Sequence, residues 1–271
     1  MRWLGIIALV ALTLPAAVPW EAHRPKPSPR VYGDRIPMKS IKPDLTKVQQ
    51  KIVDIHNYFR MKVHPPAANM LIMKWHHSLA RSAQKWADRC LGLMHDNTTG
   101  LYLDNFGKAG QNIFVTTART LWNFPIRVWY AEYKDFKYGA NASNELLKVG
   151  HYTQMVWATT HLVGCGLSHC SGRRGPLGLD HYIYVCNYAP SGNYENQLGL
   201  PYVKGEPCSM CKGHCARKKL CTNSCYYADL WSNCAELART FQMWLCETDT
   251  SEGRERRKFC AATCSCNGKI Y

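Results

Sequence analysis

Gly150-His151-Tyr152-Thr153-Gln154-Met155-Val156-Trp157 is the stretch from which the fold of this chain is read. It sets one histidine beside residues apolar enough to anchor a segment in a core: Tyr152, Val156 and Trp157. The run predicts a short helix opening near His151. An open helix N-terminus presents unpaired N–H groups and the positive end of the peptide dipole. A protonated imidazole is disfavoured there, so His151 is expected to be neutral, with a lone pair to lend to a metal or a proton. The competing reading is a core histidine satisfied by hydrogen bonds.

Working outward, His181–Tyr188 alternates: Tyr182, Tyr184, Cys186 and Tyr188 face one way and Ile183, Val185 and Asn187 the other, as in a strand covered on both sides. Val163–Cys170 is its expected neighbour, joined through a turn at Ser171–Gly178 into an antiparallel hairpin. Upstream, Asp44–Val63 predicts a helix with Val48, Ile52, Ile55 and Phe59 on one face. Thr46 with Gln49 forms a capping box, and Pro65-Pro66 stops the helix. A second helix runs over Ser78–Cys90, with Leu79, Ala83, Trp86 and Cys90 on one stripe. A third begins near Pro125, with Ile126, Trp129, Tyr130 and Tyr133 inward and Glu132 among these aromatics. Helices before and between short antiparallel strands argue for an α+β fold with the sheet sandwiched by helices.

Fourteen cysteines in 271 residues point to an oxidising compartment. Cys90, Cys165, Cys170 and Cys186 are spread through the first 207 residues, and the other ten crowd between Cys208 and Cys266. A packed core is therefore expected to be followed by a stapled module too small to bury much apolar surface. This divides the chain into a signal peptide (1–17), a basic proline-rich arm (18–43), a main domain (44–200), a cysteine-rich hinge (201–224) and a small terminal domain (225–271). The signal peptide is read from Arg2, the apolar run Trp3–Leu14 and the small residues Ala16 and Ala17. No later stretch is long and apolar enough to span a bilayer. The arm, with Pro25, Pro27 and Pro29, is expected to be extended and poorly ordered. A secreted, extracellular protein follows.

The net charge of +15 is spread along the chain: 6 basic and 2 acidic residues over 18–43, 17 and 11 over 44–207, and 10 and 6 over 208–271, with Arg2 supplying the last unit. Such a surface suits an acidic glycan, an anionic membrane surface or an acidic channel mouth, while nucleic acid does not fit an extracellular protein. Asn97-Thr98-Thr99 and Asn141-Ala142-Ser143 are glycosylation sequons.

Gly150–Thr160, reading G-H-Y-T-Q-M-V-W-A-T-T, and Tyr184–Tyr194, reading Y-V-C-N-Y-A-P-S-G-N-Y, resemble two signatures of the CAP superfamily. Cys221–Cys225 (C-T-N-S-C) and the terminal C-S-C-N-G-K-I-Y are similar to the ion-channel-regulator region of the cysteine-rich secretory proteins. On these stretches, spread between Asp44 and Tyr271, the chain is identified as a member of that family. The resemblance implies a CAP-type α-β-α sandwich with a small, disulfide-rich, mostly helical C-terminal domain. It also implies a cleft of two histidines and two glutamates, at His95, His151 and Glu132. The remaining glutamate would lie in G-E-N-I, which here reads Gly110-Gln111-Asn112-Ile113. Glutamine keeps a carbonyl acceptor but holds no proton and no charge, so Gln111 orients an imidazole only through its oxygen and is useless as acid or base. His95 and His151 would supply two imidazoles to a weakly held Zn²⁺, with Gln111 and Glu132 behind them. The alternative is a hydrogen-bonded polar cluster without metal.

The family pattern further implies the disulfides Cys90–Cys170, Cys165–Cys186, Cys208–Cys215, Cys211–Cys221, Cys225–Cys266, Cys234–Cys260 and Cys246–Cys264. Ala109 and Ala189 stand where the family has a further cysteine pair, so one whole bridge is absent. The implied function is a secreted, non-enzymatic regulator of an ion channel or cell-surface receptor, or one acting in sperm maturation and fertilisation. Its expected contacts are Trp231, Phe241 and Trp244 with the cations Lys218 and Lys219, Arg217 beside them, and the Arg254–Lys258 run. The alternatives are a zinc-assisted hydrolase with Glu132 as base, opposed by Gln111 and by the lack of G-x-S-x-G or H-E-x-x-H motifs, and lipid or sterol binding.

Overall fold

The computed structural model describes residues 33, 35–97, 99–172 and 176–271. The expected signal peptide, the arm up to residue 32 and residues 173–175 of the hairpin turn lie outside them. In chain order run α1 (Thr46–Arg60), β1 (Lys74–Trp75), α2 (His77–Ala87), β2 (Tyr102–Leu103), β3 (Gly107–Lys108), β4 (Gly110–Thr116), α3 (Asn123–Ala131), α4 (Leu146–Val156), β5 (Leu162–Cys170) and β6 (His181–Ala189). The cysteine-rich segment adds β7 (Cys215–Ala216), β8 (Leu220–Cys221), α5 (Cys234–Gln242), a π-helical turn Met243–Glu247, α6 (Ser251–Phe259) and α7 (Ala261–Ser265).

The main sheet has the order β1-β5-β6-β4; β1 is parallel to β5, and the other neighbours are antiparallel. β6 is buried along its whole length because both faces are covered. On one face, Tyr182, Tyr184, Cys186 and Tyr188 join Ile52 of α1, Ile126 and Trp129 of α3 and Tyr152, Met155 and Val156 of α4. On the other, Ile183 and Val185 meet Ala83, Trp86 and Ala87 of α2. The result is a mixed α-β-α sandwich. Helix α2 lies directly on β5, since a Cβ at Gly164 or Gly166 would run into the helix backbone at Ala80 and Gln84. Glycine at these two places lets helix and strand backbones touch.

Several local expectations are corrected. The arm is not loose over its last residues: Ile36 and Ile41 are buried in the main core, and Trp122 Nε1 donates to the Ile41 carbonyl at 2.7 Å. The capping box at Thr46 and Gln49 does not form. Leu45 occupies the N-cap, and Gln49 Nε2 turns back to donate to the Pro43 carbonyl at 3.0 Å. On α1 the most deeply buried positions toward the C-terminus are polar, namely His56, Asn57 and Arg60, while Ile55 and Phe59 are only half-buried. Tyr133 is exposed rather than inward, because α3 ends at Ala131 and the chain tightens into a 3₁₀ turn. His151 is not at a helix start. α4 begins five residues earlier at Leu146, so His151 sits mid-helix and the field of an open N-terminus does not act on it.

Seven disulfides join Cys90–Cys170, Cys165–Cys186, Cys208–Cys215, Cys211–Cys221, Cys225–Cys266, Cys234–Cys260 and Cys246–Cys264. Cys165 and Cys186 are direct cross-strand partners with Cα atoms 4.1 Å apart. The segment around Cys221 is stitched onto the sandwich through Cys221 N to the Met70 carbonyl at 2.7 Å and Ile72 N to the Cys221 carbonyl at 2.9 Å.

Candidate functional site

The four cleft residues come as two hydrogen-bonded pairs. Glu132 caps the C-terminus of α3. Its Oε1 accepts from His151 Nδ1 at 2.6 Å, and its Oε2 accepts from the backbone N–H of Tyr152 at 2.9 Å. Both carboxylate oxygens are thereby engaged, and the Trp129 ring lies nearly parallel to the imidazole at 6.2 Å. Because a carboxylate only accepts, Nδ1 of His151 carries a proton, and in the neutral imidazole the lone pair is on Nε2.

His95 lies exposed in the loop after α2, and Gln111 is the second residue of β4. Gln111 Oε1 accepts from the Asp96 N–H at 3.0 Å and from His95 Nδ1 at 3.1 Å, while its amide donates to Asn187 Oδ1 at 3.0 Å. His95 is thus fixed in the same tautomer as His151, with Nε2 open. A glutamine does here what a neutral acceptor can do and supplies no charge.

The pairs are backed by different layers. Asn187 behind Gln111 donates to Ser82 of α2, whereas Glu132 and His151 rest on α3 and α4. Strand β4, at the sheet edge, lies between them. Asn112, next to Gln111, donates to the His151 carbonyl at 3.1 Å and to the Tyr188 hydroxyl at 3.4 Å, and Tyr188 meets His56 Nε2 at 3.0 Å. Asn112, Asn187, Tyr188 and His56 were not singled out as site residues from the sequence. Asn187 and Tyr188 sit inside the second signature stretch, which was the available signal; nothing in the spacing of α1 marked His56.

Each imidazole is oriented through a hydrogen-bonded Nδ1, His95 by Gln111 and His151 by Glu132, the arrangement usual behind a zinc-ligating histidine. Among the described residues one group of three His, Cys, Asp or Glu donors lies within 4.8 Å of one another, Cys208, Cys211 and Cys221. All three are locked in disulfides and closed to a metal.

The residues expected at a partner contact have different local surroundings. Trp231 stacks on Phe259 at 4.9 Å and is partly buried. Phe241 and Trp244 are 56% and 45% exposed where α5 gives way to the π turn, with Met243 exposed between them. The cation accompanying Trp244 is Arg256, 4.1 Å over the ring. Arg217 pairs with Asp54 of α1 at 3.0 Å and Lys219 donates to the Met61 carbonyl at 3.3 Å, so these two brace the hinge against α1, while Lys218 is exposed. Of the sequons, Asn97 is exposed; the Asn141 amide is held at both ends, by the Glu195 carbonyl and the Gly199 N–H.

Comparison with known proteins agrees with this architecture. A family model described as "CAP: Cysteine-rich secretory protein family" matches residues 53–188, and one described as "Crisp" matches residues 208–271. Human cysteine-rich secretory protein 3 is 40% identical over 226 residues, which is 83% of this chain and 86% of that protein. Cysteine-rich secretory protein 2 of Cavia porcellus is 40% identical over 229 residues, with the same shares. Among solved structures, NaASP2 with Zn²⁺ superposes with a TM-score of 0.51 at 27% identity, covering 66% of this chain and 96% of that one. Na-ASP-1 gives 0.53 at 25%, covering 70% and 52%. With a CAP sandwich, a stapled C-terminal segment and relatives of this identity across most of its length, the chain is a member of the cysteine-rich secretory protein family.

Proposed function

We propose that this chain is a secreted, non-enzymatic binding protein whose cysteine-rich C-terminal segment engages an extracellular channel or receptor. The observation that carries the reading is the exposed Phe241-Met243-Trp244 ridge, held on a backbone braced by Cys234–Cys260 and Cys246–Cys264 and flanked by Arg256. Rigid aromatic side chains with an adjacent cation lose little entropy on binding and suit the centre of a contact. The apolar run Trp3–Leu14 and the fully paired described cysteines support secretion. The test is electrical recording from calcium-release, calcium and potassium channels with the full chain, wild type against Phe241→Ala/Trp244→Ala. Block by the wild type and its loss in the variant is the expected result. Equal effect of the two, or none on any channel together with retained binding to cells, moves the function away from this ridge.

A zinc-binding role for His95 and His151 is the second reading, favoured by the two open Nε2 atoms and by the relative crystallised with Zn²⁺. These two imidazoles would hold the ion, and bound zinc would supply Lewis acidity. Glu132 orients His151 with one oxygen and accepts from Tyr152 N–H with the other, which leaves it poorly placed to serve as a base.

A further inference from the structure

We propose that the cavity between β1, the start of α2 and the cysteine-rich segment is a binding site for one sulfate or phosphate group. The cavity measures about 620 Å³ and is lined from the sandwich by Lys74, His76, Asp104 and His161, and from the C-terminal segment by Tyr226 and Lys269. It shares no residue with the His95–Gln111 or Glu132–His151 pairs, nor with the Phe241–Trp244 ridge. Lys74 and Lys269 line the cavity from its two sides, and neither forms an ion pair among the described residues. The single carboxylate of the lining, Asp104, is exposed.

Three further features point to a tetrahedral anion. The cavity lies at the N-terminus of the eleven-residue α2, where orphan N–H groups and the dipole favour negative charge. His76, the N-cap, accepts from Leu79 N–H through Nδ1 at 3.4 Å, which leaves its Nε2–H to donate. His161 is only 6% exposed, and its Nδ1–H donates to the Thr159 carbonyl at 3.1 Å. Its Nε2 has no protein partner among the described residues. Phe106 closes one side of that ring edge-on at 5.5 Å. Burial, with the cations Arg60 and Lys74 nearby, lowers the His161 pKa to about 4. An anion held between Lys74 and Lys269 opposes that field and favours the imidazolium in the acid range, where its Nε2–H can donate to the anion. The site therefore couples ligand binding to the charge of a buried histidine. Because its two lysines belong to the sandwich and to the C-terminal segment, an anion also clamps one against the other.

The test follows the His161 imidazole by NMR in the full disulfide-bonded chain across the acid range, at constant ionic strength set with chloride. Sulfate and phosphate are expected to raise the His161 pKa by about one unit while chloride does not. Lys74→Gln and Lys269→Gln, both at surface side chains, should each weaken the sulfate effect about tenfold. Glucosamine 6-sulfate should reproduce the shift and glucosamine should not, which separates an ester on a sugar from the free ion as a source. An unmoved His161 in sulfate, equal shifts with sulfate and chloride, wild-type response in both lysine variants, or a shift with glucosamine itself would each overturn the proposal.

Discussion

The Tyr188 hydroxyl donates to Nε2 of His56 at 3.0 Å, and the direction of that bond is fixed by the other side of the ring. His56 Nδ1 faces the Ile52 carbonyl at 2.8 Å, which only accepts, so Nδ1 carries the proton and Nε2 the lone pair. The fully buried imidazole is neutral, and burial lowers its pKa to about 4. Tyr188, buried beside it, has its own pKa pushed up by the same desolvation. From Tyr188 the chain of hydrogen bonds continues through Asn112 to the His151 carbonyl, tying α1 to the candidate cleft.

Acid should therefore unfold this protein earlier than its disulfides suggest. His56 and His161 both have folded pKa values of about 4 against an ordinary 6.5. Between those values the unfolded chain takes up protons that the folded chain refuses, so stability falls as pH drops from about 6.5 and levels off below about 4. At 1.36 kcal/mol per pKa unit the loss is about 3 kcal/mol for each histidine. Urea unfolding at a series of pH values should show that slope, and His56→Gln, which keeps an acceptor for Tyr188, should remove about half of it. An equal slope in wild type and variant would refute the assignment.

Arg60 is the second buried group on which the sandwich depends. It is 1% exposed and donates six hydrogen bonds to the carbonyls of Leu71, Met155, Trp157, Ala158 and Thr160. These include the carbonyls of Met155, in the last turn of α4, and of its C-cap Trp157, where the intrahelical donors run out. Burial lowers its pKa to about 9, so it remains a cation at neutral pH. Arg60→Met should cost about 3–5 kcal/mol by stranding buried acceptors. Arg60→Lys should also destabilise, because three donors on one nitrogen cannot span a fork's geometry. Equilibrium unfolding in urea measures both; a loss below about 1 kcal/mol for methionine would show that the carbonyls find other donors.

The sandwich was legible because its signals are periodic. The alternation over His181–Tyr188 separates the two faces that the structure buries against α1, α3 and α4 on one side and α2 on the other. The starts of α1, α2 and α3 were read to within two residues, but the capping box at Thr46 lost to Gln49's bond with the Pro43 carbonyl, and α4 began at Leu146 rather than near His151. His56 and Arg60 were missed because a polar residue on an apolar helix stripe reads as a solvent-facing one until its distant partners, Tyr188 and the 155–160 carbonyls, are known. Of the cleft, the motif residues were named from sequence, but the separate backing of the two pairs by α2 and by α3 with α4 is a property of the folded sheet edge.

Gln111→Glu should strengthen zinc binding at His95. The carboxylate would accept the Nδ1–H of His95 more strongly than the amide oxygen does, raising the basicity of Nε2. An affinity gain of about tenfold is expected in competition with a chromophoric chelator. A stability cost of about 1 kcal/mol should accompany it, because the lost amide leaves Asn187 Oδ1 without its donor. Binding should weaken on acidification in both proteins, since protons compete for the same lone pairs. Unchanged affinity in the variant would mean that His95 is not a ligand.

Ala109 and Ala189 offer a test of the absent bridge. Gly110 pairs with Tyr188 across β4 and β6, so the register continued by one residue sets Ala109 opposite Ala189. Both are buried in one cluster with Leu79, Leu101, Phe106 and Ala228. Apolar packing at this sheet edge stands where the family pattern has a covalent link. Ala109→Cys/Ala189→Cys should therefore form a disulfide without rearranging the chain, closing a long loop and stabilising the folded state by about 2–4 kcal/mol against urea. Either single variant should instead carry a free buried thiol and lose stability, because sulfur must be fitted among side chains packed around a methyl group. Non-reducing peptide mapping is the check: a 109–189 linkage beside the seven existing pairs is expected. Two free thiols in the double variant, or a new linkage to Cys165 or Cys186, would show that the two edges do not approach as the register requires.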